Sequence, residues 1–461
     1  MAVHSIDWYR TPLDPETLRK LNERSDAKGY AQSLGHLALM TLTAAGAITA
    51  WVLLPWPWYW KLAVVVPLIY LHGTVTAFCI NAVHELVHGT VFKTAKLNEI
   101  FCNIFAFLGW INHHKFWASH SEHHKFTLHP PDDLEVVLPA NPKPMNFLWG
   151  GIIANPYKAM KWRIKDHLRI ARGEFEGEWE LHTLPEDAAK ARRKVMNWSK
   201  TVLIGHAAIF VVSVALIPFV PGIWLVPILV NFNVCYGALL FLFCNNTQHA
   251  GLVDCVPDFR LCCRTIHLSA IPRFLYWQMN YHIEHHMYAG VPCYNLGKLH
   301  AAIKHDLPFC PNGLWQAWAQ ITHIRQQQAI DPTYQYVQPL PGQRFADGPA
   351  QVKRTQANPD ADLDTAGART APGSTAEASR CVAGSAASAG SSTTRRSGCP
   401  KTASRRGRPG RTSPKTGPAR TAGSRRRTFR WWRSGTARAL SRKRLSRKGC
   451  LKLRTRRRRR W

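Results

Sequence analysis

Histidine spacing constrains this chain more than any other feature. Three windows of five residues, His84-Glu85-Leu86-Val87-His88, His120-Ser121-Glu122-His123-His124 and His282-Ile283-Glu284-His285-His286, hold eight of the 22 histidines found in 461 residues. Positions i, i+3 and i+4 share one face of a helix, so each box presents its imidazoles together. That clustering far exceeds what residue frequency supplies at random, which argues against ordinary surface or capping histidines. Eight imidazoles also exceed the roughly four to six ligands one ion takes, so two metal ions are implied. Nitrogen ligands without a thiolate suit iron, with zinc and copper left open by ligand type alone. The first box matches the HExxH spacing of zinc proteases. Such a site needs one box and a third ligand, so three boxes favour a multi-histidine centre instead.

The second constraint is hydrophobic length. Residues 34–54, 62–80, 202–220 and 223–244 are apolar and almost free of charge, and a bilayer core needs about 20 such residues at 1.5 Å each. The first two are joined by PWPWYWK, rich in interface-seeking Trp and Tyr, and the last two by Pro221 and Gly222. The expected scaffold is all-α and integral to the membrane: four transmembrane helices in two hairpins, with a helical cap carrying the metal site. Lys and Arg number 5 in residues 1–33 and 16 in residues 85–200, against one, Lys61, in the short turns. The positive-inside rule then puts the termini and the site in the cytoplasm. Apolar runs at 100–111 and 145–154 are too short to span and read as interfacial or re-entrant.

Both hairpins bring a histidine to the same membrane edge. His84 follows the second span by four residues and His249 follows the fourth by five, so His249 is a ninth candidate ligand. Asn245, one turn earlier, is placed to hold a metal-bound water or to orient the ligand. His113 and His114 read as neighbours of the site or as solvated side chains. His129 and the in-span His36, His72 and His206 read as structural. Asp132, Asp133 and Glu135 either accept hydrogen bonds from ligand imidazoles or belong to a solvated loop. Glu85, Glu122 and Glu284, inside the boxes, are at most supporting groups.

Charge divides the chain. Of the formal +32, residues 351–461 carry 31 basic against 4 acidic side chains, and the remaining 350 residues carry 29 against 24. The body is nearly balanced and gives no reason to expect a nucleic-acid partner. Residues 346–461 are rich in Arg, Ser, Gly, Thr, Ala and Pro, and so are expected to be a disordered basic tail. That tail fits binding to anionic lipid headgroups, non-specific binding to nucleic acid, or an out-of-frame reading of a GC-rich gene end, which is the preferred reading. The 12 cysteines form no CxxC pair, so neither a disulfide framework nor a zinc finger is expected. The polar segment 1–33 lacks the apolar core of a signal peptide and is read as cytoplasmic, and residues 34–345 are read as the membrane domain.

The motifs HELVH, HSEHH and NYHIEHH, with KFTLHPPDDLE after the second and MYAGVPCYNLGKLHAAIKHDLP after the third, resemble the membrane fatty acid desaturase superfamily over residues 30–310. That superfamily includes acyl desaturases, hydroxylases and carotenoid ketolases, and the second box lacks the glycine found in alkane hydroxylases. The resemblance implies iron ligation by His84, His88, His120, His123, His124, His249, His282, His285 and His286, with Asn245 at the position of the family's asparagine. It implies two non-haem iron ions, O2 as co-substrate and a fatty acyl or similar lipid substrate. No HPGG haem segment or ferredoxin-like cysteine cluster is visible, so a separate donor of ferredoxin or cytochrome-b type is expected. Desaturation leads the readings, followed by hydroxylation or ketolation of a carotenoid or other apolar lipid. A membrane metal-transport or haem-binding protein would need ionisable groups deep in the spans, where only His36, His72 and His206 occur.

Overall fold

A computed structural model describes residues 5–138 and 156–342. The apolar run 145–154 and the basic tail lie outside the described residues.

The first span expected from sequence is α2, Asp26–Leu53, which follows the short α1, Pro15–Leu21. The Ser25 side chain caps it by accepting from the Lys28 N–H, and it ends before Pro55, Trp56 and Pro57. The chain reverses there into α3, Trp58–Ala77, which packs along α2 as an antiparallel hairpin. A tightened turn at Phe78 joins α3 to α4, Cys79–Val87, so this span runs on directly into the first histidine box.

Two amphipathic helices follow, α5 at Ala95–Leu108 and α6 at His113–Phe126. α5 takes up the short run at 100–111, which explains why that run is apolar without spanning. α6 carries the second box, and its start is set by Asn112, whose Oδ1 accepts from the Lys115 N–H at 3.1 Å. After residue 155 come α7 at Pro156–Ala171, α8 at Glu178–Thr183 and α9 at Ala189–Ala215. α9 is the third expected span, but its first turns are charged and pack on α7, so the helix begins well before the apolar stretch. Pro218 and Pro221 then prevent its continuation.

The fourth expected span departs from the four-helix scaffold. Residues 223–244 do not form one helix but a π turn at Pro227–Asn231, a 3₁₀ turn at Asn233–Cys235 and the short α10, Leu239–Asn245. Three helices among the described residues are long and apolar enough to cross a membrane: Asp26–Leu53, Trp58–Val87 and Ala189–Ala215. The break has local causes. Pro227 supplies no N–H, and Gly237 takes a positive φ of 75° where a Cβ would lie 2.4 Å from the Thr74 backbone nitrogen. Asn231 turns its side chain back to the His206 carbonyl at 2.8 Å, satisfying a carbonyl on the neighbouring span.

The in-span histidines are ties between segments, as read from sequence. His36 Nε2 donates to the Val75 carbonyl at 2.9 Å while its Nδ1 accepts from Trp277 Nε1 at 2.9 Å. His72 donates from Nε2 to the Leu229 carbonyl of the broken segment at 2.9 Å, and its Nδ1 faces the Thr43 hydroxyl of α2 at 3.0 Å. His206 donates from Nε2 to the Phe107 carbonyl of α5. Each imidazole is thus engaged in packing, which removes the support that a transport pathway would require.

Four short helices follow, α11 at Phe259–Cys262, α12 at Ala270–Leu275, α13 at His282–Met287 with the third box and α14 at Leu296–Ile303, and then the longer α15 at Gly313–Ile330. The largest buried cluster joins Phe78, Val83 and Leu86 to Phe259, Ile283, Met287 and Leu296, locking the first and third boxes onto one core. The N-terminal segment is docked on the same layer rather than standing apart. Trp8 stacks on Phe259 at 4.1 Å, and Tyr288 donates to the Thr11 carbonyl at 2.6 Å.

Candidate metal centre

The three boxes, on α4, α6 and α13, converge into two adjacent buried groups. In the first, one nitrogen each from His84, His88, His120, His124 and His285 lies within 4.8 Å of every other; the second joins His249, His282, His286 and Cys263 by the same measure. His123 stands between them, its ring 5.6 Å from that of His120, 5.0 Å from that of His286 and 5.3 Å from that of His249. Eight box histidines and the ninth candidate, His249, therefore meet in one place. Asn245 ends α10 half-buried, one turn before His249, and belongs to neither group.

Carboxylates and carbonyls fix the ring orientations. The Nδ1–H of His123 donates to Asp133 at 2.7 Å, that of His120 to Glu135 at 2.9 Å, and that of His84 to Glu85 at 3.0 Å. His249 donates from Nδ1 to the Cys262 carbonyl at 2.8 Å. A ring that donates through Nδ1 has its lone pair on Nε2, the tautomer a metal ligand needs. Asp133 and Glu135 are thus site residues, which resolves the open reading of the acidic cluster. Asp132 is not among these partners, and Glu122 faces outward to Lys125. Glu284 is buried at the other end of the site, bonded to Thr265 and His300.

The electrostatics agree. Burial, and then the neighbouring imidazoles, hold His120, His124, His282, His285 and His286 well below the ordinary histidine range, keeping their lone pairs free. Burial alone would push the Asp133 carboxyl up. The His123 hydrogen bond and the N–H groups of Leu128 and Glu135 outweigh it and keep Asp133 ionised.

Do these residues fit metal ions? The Nε2 atoms of His120 and His124 lie 2.9 Å apart, those of His124 and His285 3.1 Å, and those of His249 and His282 2.9 Å. One N–H···N bond can satisfy such a pair, but His124 Nε2 faces two nitrogens and can carry only one proton, so a shared cation satisfies the set more fully. His88 Nε2 and His286 Nε2 are buried with no hydrogen-bond partner, a costly arrangement that a ligated cation relieves. The donor set fits two metal ions.

Other expectations sort cleanly. His113 is buried against His114 and Trp198, outside both groups, and His129 bonds the Thr127 carbonyl. Sequence reasoning missed Cys263, because no box contains it and a nitrogen-only ligand set was expected. The adjacent Cys262 and Cys263 pair was the available signal.

A cavity of about 590 Å³ abuts the site. Ile80, Phe116, Val234 and Phe241 give it an apolar stretch, and Lys115, Arg163 and Asp166 a polar one. Ser119 and Glu135 line it, and Glu135 is the partner of His120, so one side chain separates the cavity from the histidine cluster. The broken fourth segment supplies Asn233, Val234, Tyr236, Ala238 and Phe241 to its wall. A continuous helix there would present a different face.

Apolar helices of membrane-spanning length lead into two polyhistidine groups that could hold metal ions, the arrangement of a histidine-box membrane protein. More specifically, the chain belongs to the fatty acid desaturase family, whose family model matches residues 62–318, more than half of its length. A comparison with curated proteins gives no match. The family is one of lipid-modifying oxidoreductases that use non-haem iron.

Proposed function

We propose that the chain removes two hydrogens from adjacent carbons of a fatty acyl chain or similar apolar lipid, using O2 and two histidine-held irons. The observation that carries this reading is the pair of abutting histidine groups beside a cavity with an apolar wall. Iron, when bound, supplies the reductive activation of O2 that breaking an unactivated C–H bond requires and that no side chain can provide. The balance is one O2, two protons, two electrons from a donor and two hydrogens from the lipid, giving a double bond and two waters.

The protein's own groups do the holding. His84, His88, His120, His124 and His285 would ligate one ion, and His123, His249, His282 and His286 the other, with Asn245 positioned for a water. Asp133, Glu135 and Glu85 fix the tautomers of His123, His120 and His84. The lipid chain would lie along Ile80, Phe116, Val234 and Phe241, away from water. The donor would be a separate ferredoxin or cytochrome-b-type protein, and the site and termini would face the cytoplasm.

The test is lipid and carotenoid profiling of cells expressing the chain, against a His285→Ala control. A product lighter by two hydrogens supports desaturation, and one heavier by an oxygen replaces it with hydroxylation or ketolation. Purified protein holding well under two irons per chain would sink the dinuclear reading.

A further inference from the structure

The second histidine group contains a side chain that no histidine motif accounts for. Cys263 caps the C-terminal end of α11, is fully buried, and has its Sγ within 4.8 Å of one nitrogen each from His249, His282 and His286. Among the described residues its thiol's hydrogen-bonding contact is to Cys262 Sγ, at 3.9 Å, which is a weak interaction. In the same group, His286 Nε2 is buried without a hydrogen-bond partner, and the Nε2 atoms of His249 and His282 face each other at 2.9 Å. A thiol, an orphaned imidazole nitrogen and that facing pair form an unsatisfied donor set.

The backbone holds Cys263 in fixed register with His249. Its N–H donates to the Phe259 carbonyl at 2.9 Å, and its carbonyl accepts from Gln338 at 2.7 Å. One residue earlier, the Cys262 carbonyl takes the His249 Nδ1–H. One residue later, the buried Arg264 guanidinium grips the carbonyls of Thr247 and Ala250 on either side of His249. With the Arg264 N–H on the Gln248 carbonyl at 2.8 Å, the Cys262-Cys263-Arg264 run is fastened to the His249 segment at four points.

We propose that Cys263 supplies a thiolate sulfur to the metal ion held by His249, His282 and His286. The inference rests on the two-metal reading above. A sulfur about 2.3 Å and a nitrogen about 2.0 Å from one ion lie about 3.5 Å apart in a tetrahedral arrangement. The ligand atoms lie within 4.8 Å of one another, so at most about 1.3 Å separates the observed arrangement from that one. As the sulfur–metal bond forms, the thiol proton leaves to solvent, one per chain. The two centres then differ in kind: one is surrounded by imidazoles alone, while the other has a soft anionic donor that offsets one unit of its charge.

The test uses the full chain in detergent, loaded with cobalt(II). The wild type should show a sulfur-to-cobalt charge-transfer band in the near ultraviolet, retained in Cys262→Ser and lost in Cys263→Ser. Cys263→Ser should also release one proton fewer per chain on loading and bind its weaker cobalt at least ~10-fold less tightly. X-ray absorption of the wild type needs no variant: a sulfur about 2.3 Å from the metal supports the proposal, and a shell of nitrogen and oxygen alone overturns it. A band that persists in Cys263→Ser also overturns it. A chain that takes up neither cobalt nor iron overturns the two-metal reading itself, and this inference with it.

Discussion

His123 Nδ1 lies 2.7 Å from Asp133 Oδ2, and the same carboxylate accepts the N–H of Leu128 at 2.8 Å and, through its other oxygen, that of Glu135 at 2.9 Å. One buried carboxylate therefore shapes the turn after α6 and orients the imidazole that stands between the two histidine groups. Replacing it with an amide should weaken the site more than the fold. For Asp133→Asn we expect metal affinity to fall about 10- to 100-fold, the usual cost of losing a ligand's orienting partner. Iron content after dialysis against a graded chelator series measures this. Unchanged retention would remove Asp133 from the site.

Metal removal should cost stability as well as activity. Nitrogens facing one another at 2.9 Å and buried orphan nitrogens are better satisfied with cations between them than without. Stripping the protein with chelator should lower its melting temperature, and iron(II) should restore it, since a ligand of the native state alone stabilises that state. A melt insensitive to chelator would contradict the fit between donors and metal.

The crossing of α3 with the broken segment predicts a packing-sensitive position far from the histidines. At Gly237 a side chain meets both a positive φ of 75° and a Cβ placed 2.4 Å from the Thr74 nitrogen. Gly237→Ala should destabilise by about 2 kcal/mol or more, read as reduced recovery of folded protein and a lower melting temperature. Gly89, also at positive φ but with open space around it, should tolerate alanine better.

A cavity mutation separates substrate access from metal binding. Ile80 lines the apolar stretch and is a member of neither histidine group. Ile80→Trp should leave iron content unchanged while abolishing turnover of long-chain substrate or shifting it to shorter chains. Undiminished activity with the same product profile would place the lipid elsewhere.

An ion cluster beneath α6 predicts an acid limb of stability. Burial pushes the Glu180 carboxyl up, but hydrogen bonds from Arg169 and Lys115 outweigh this and bring it down to about 2. Because the folded value lies below the unfolded value of about 4.3, the contribution is fully present above that pH. It is lost as pH falls towards 2. The stability gap between wild type and Glu180→Gln should be constant near neutrality and close across that window. A gap that widens with acid would reverse the sign.

The histidine boxes were legible because helical spacing is a local property: HELVH and HSEHH place their own imidazoles on one face whatever surrounds them. The apolar lengths of α2, α3 and α9 were legible for a similar reason, since bilayer thickness sets a residue count. Their boundaries were less so, because the charged first turns of α9 are held helical by packing on α7. The fourth segment was misread as a helix. Its apolar composition met the length rule, whereas the break comes from Gly237 lying against the α3 backbone and from Asn231 reaching across to His206, contacts absent from any window of sequence.

What the sequence determined alone is therefore the donor chemistry: histidines in helical register, enough of them for two ions, next to apolar segments of membrane length. What the tertiary structure decided is their division between two centres, the use of Asp133 and Glu135 rather than Glu122 as orienting groups, and the presence of Cys263. Those outcomes depend on which residues, over 150 positions apart in sequence, meet within a few ångströms, and hydrogen bonds act only at such distances.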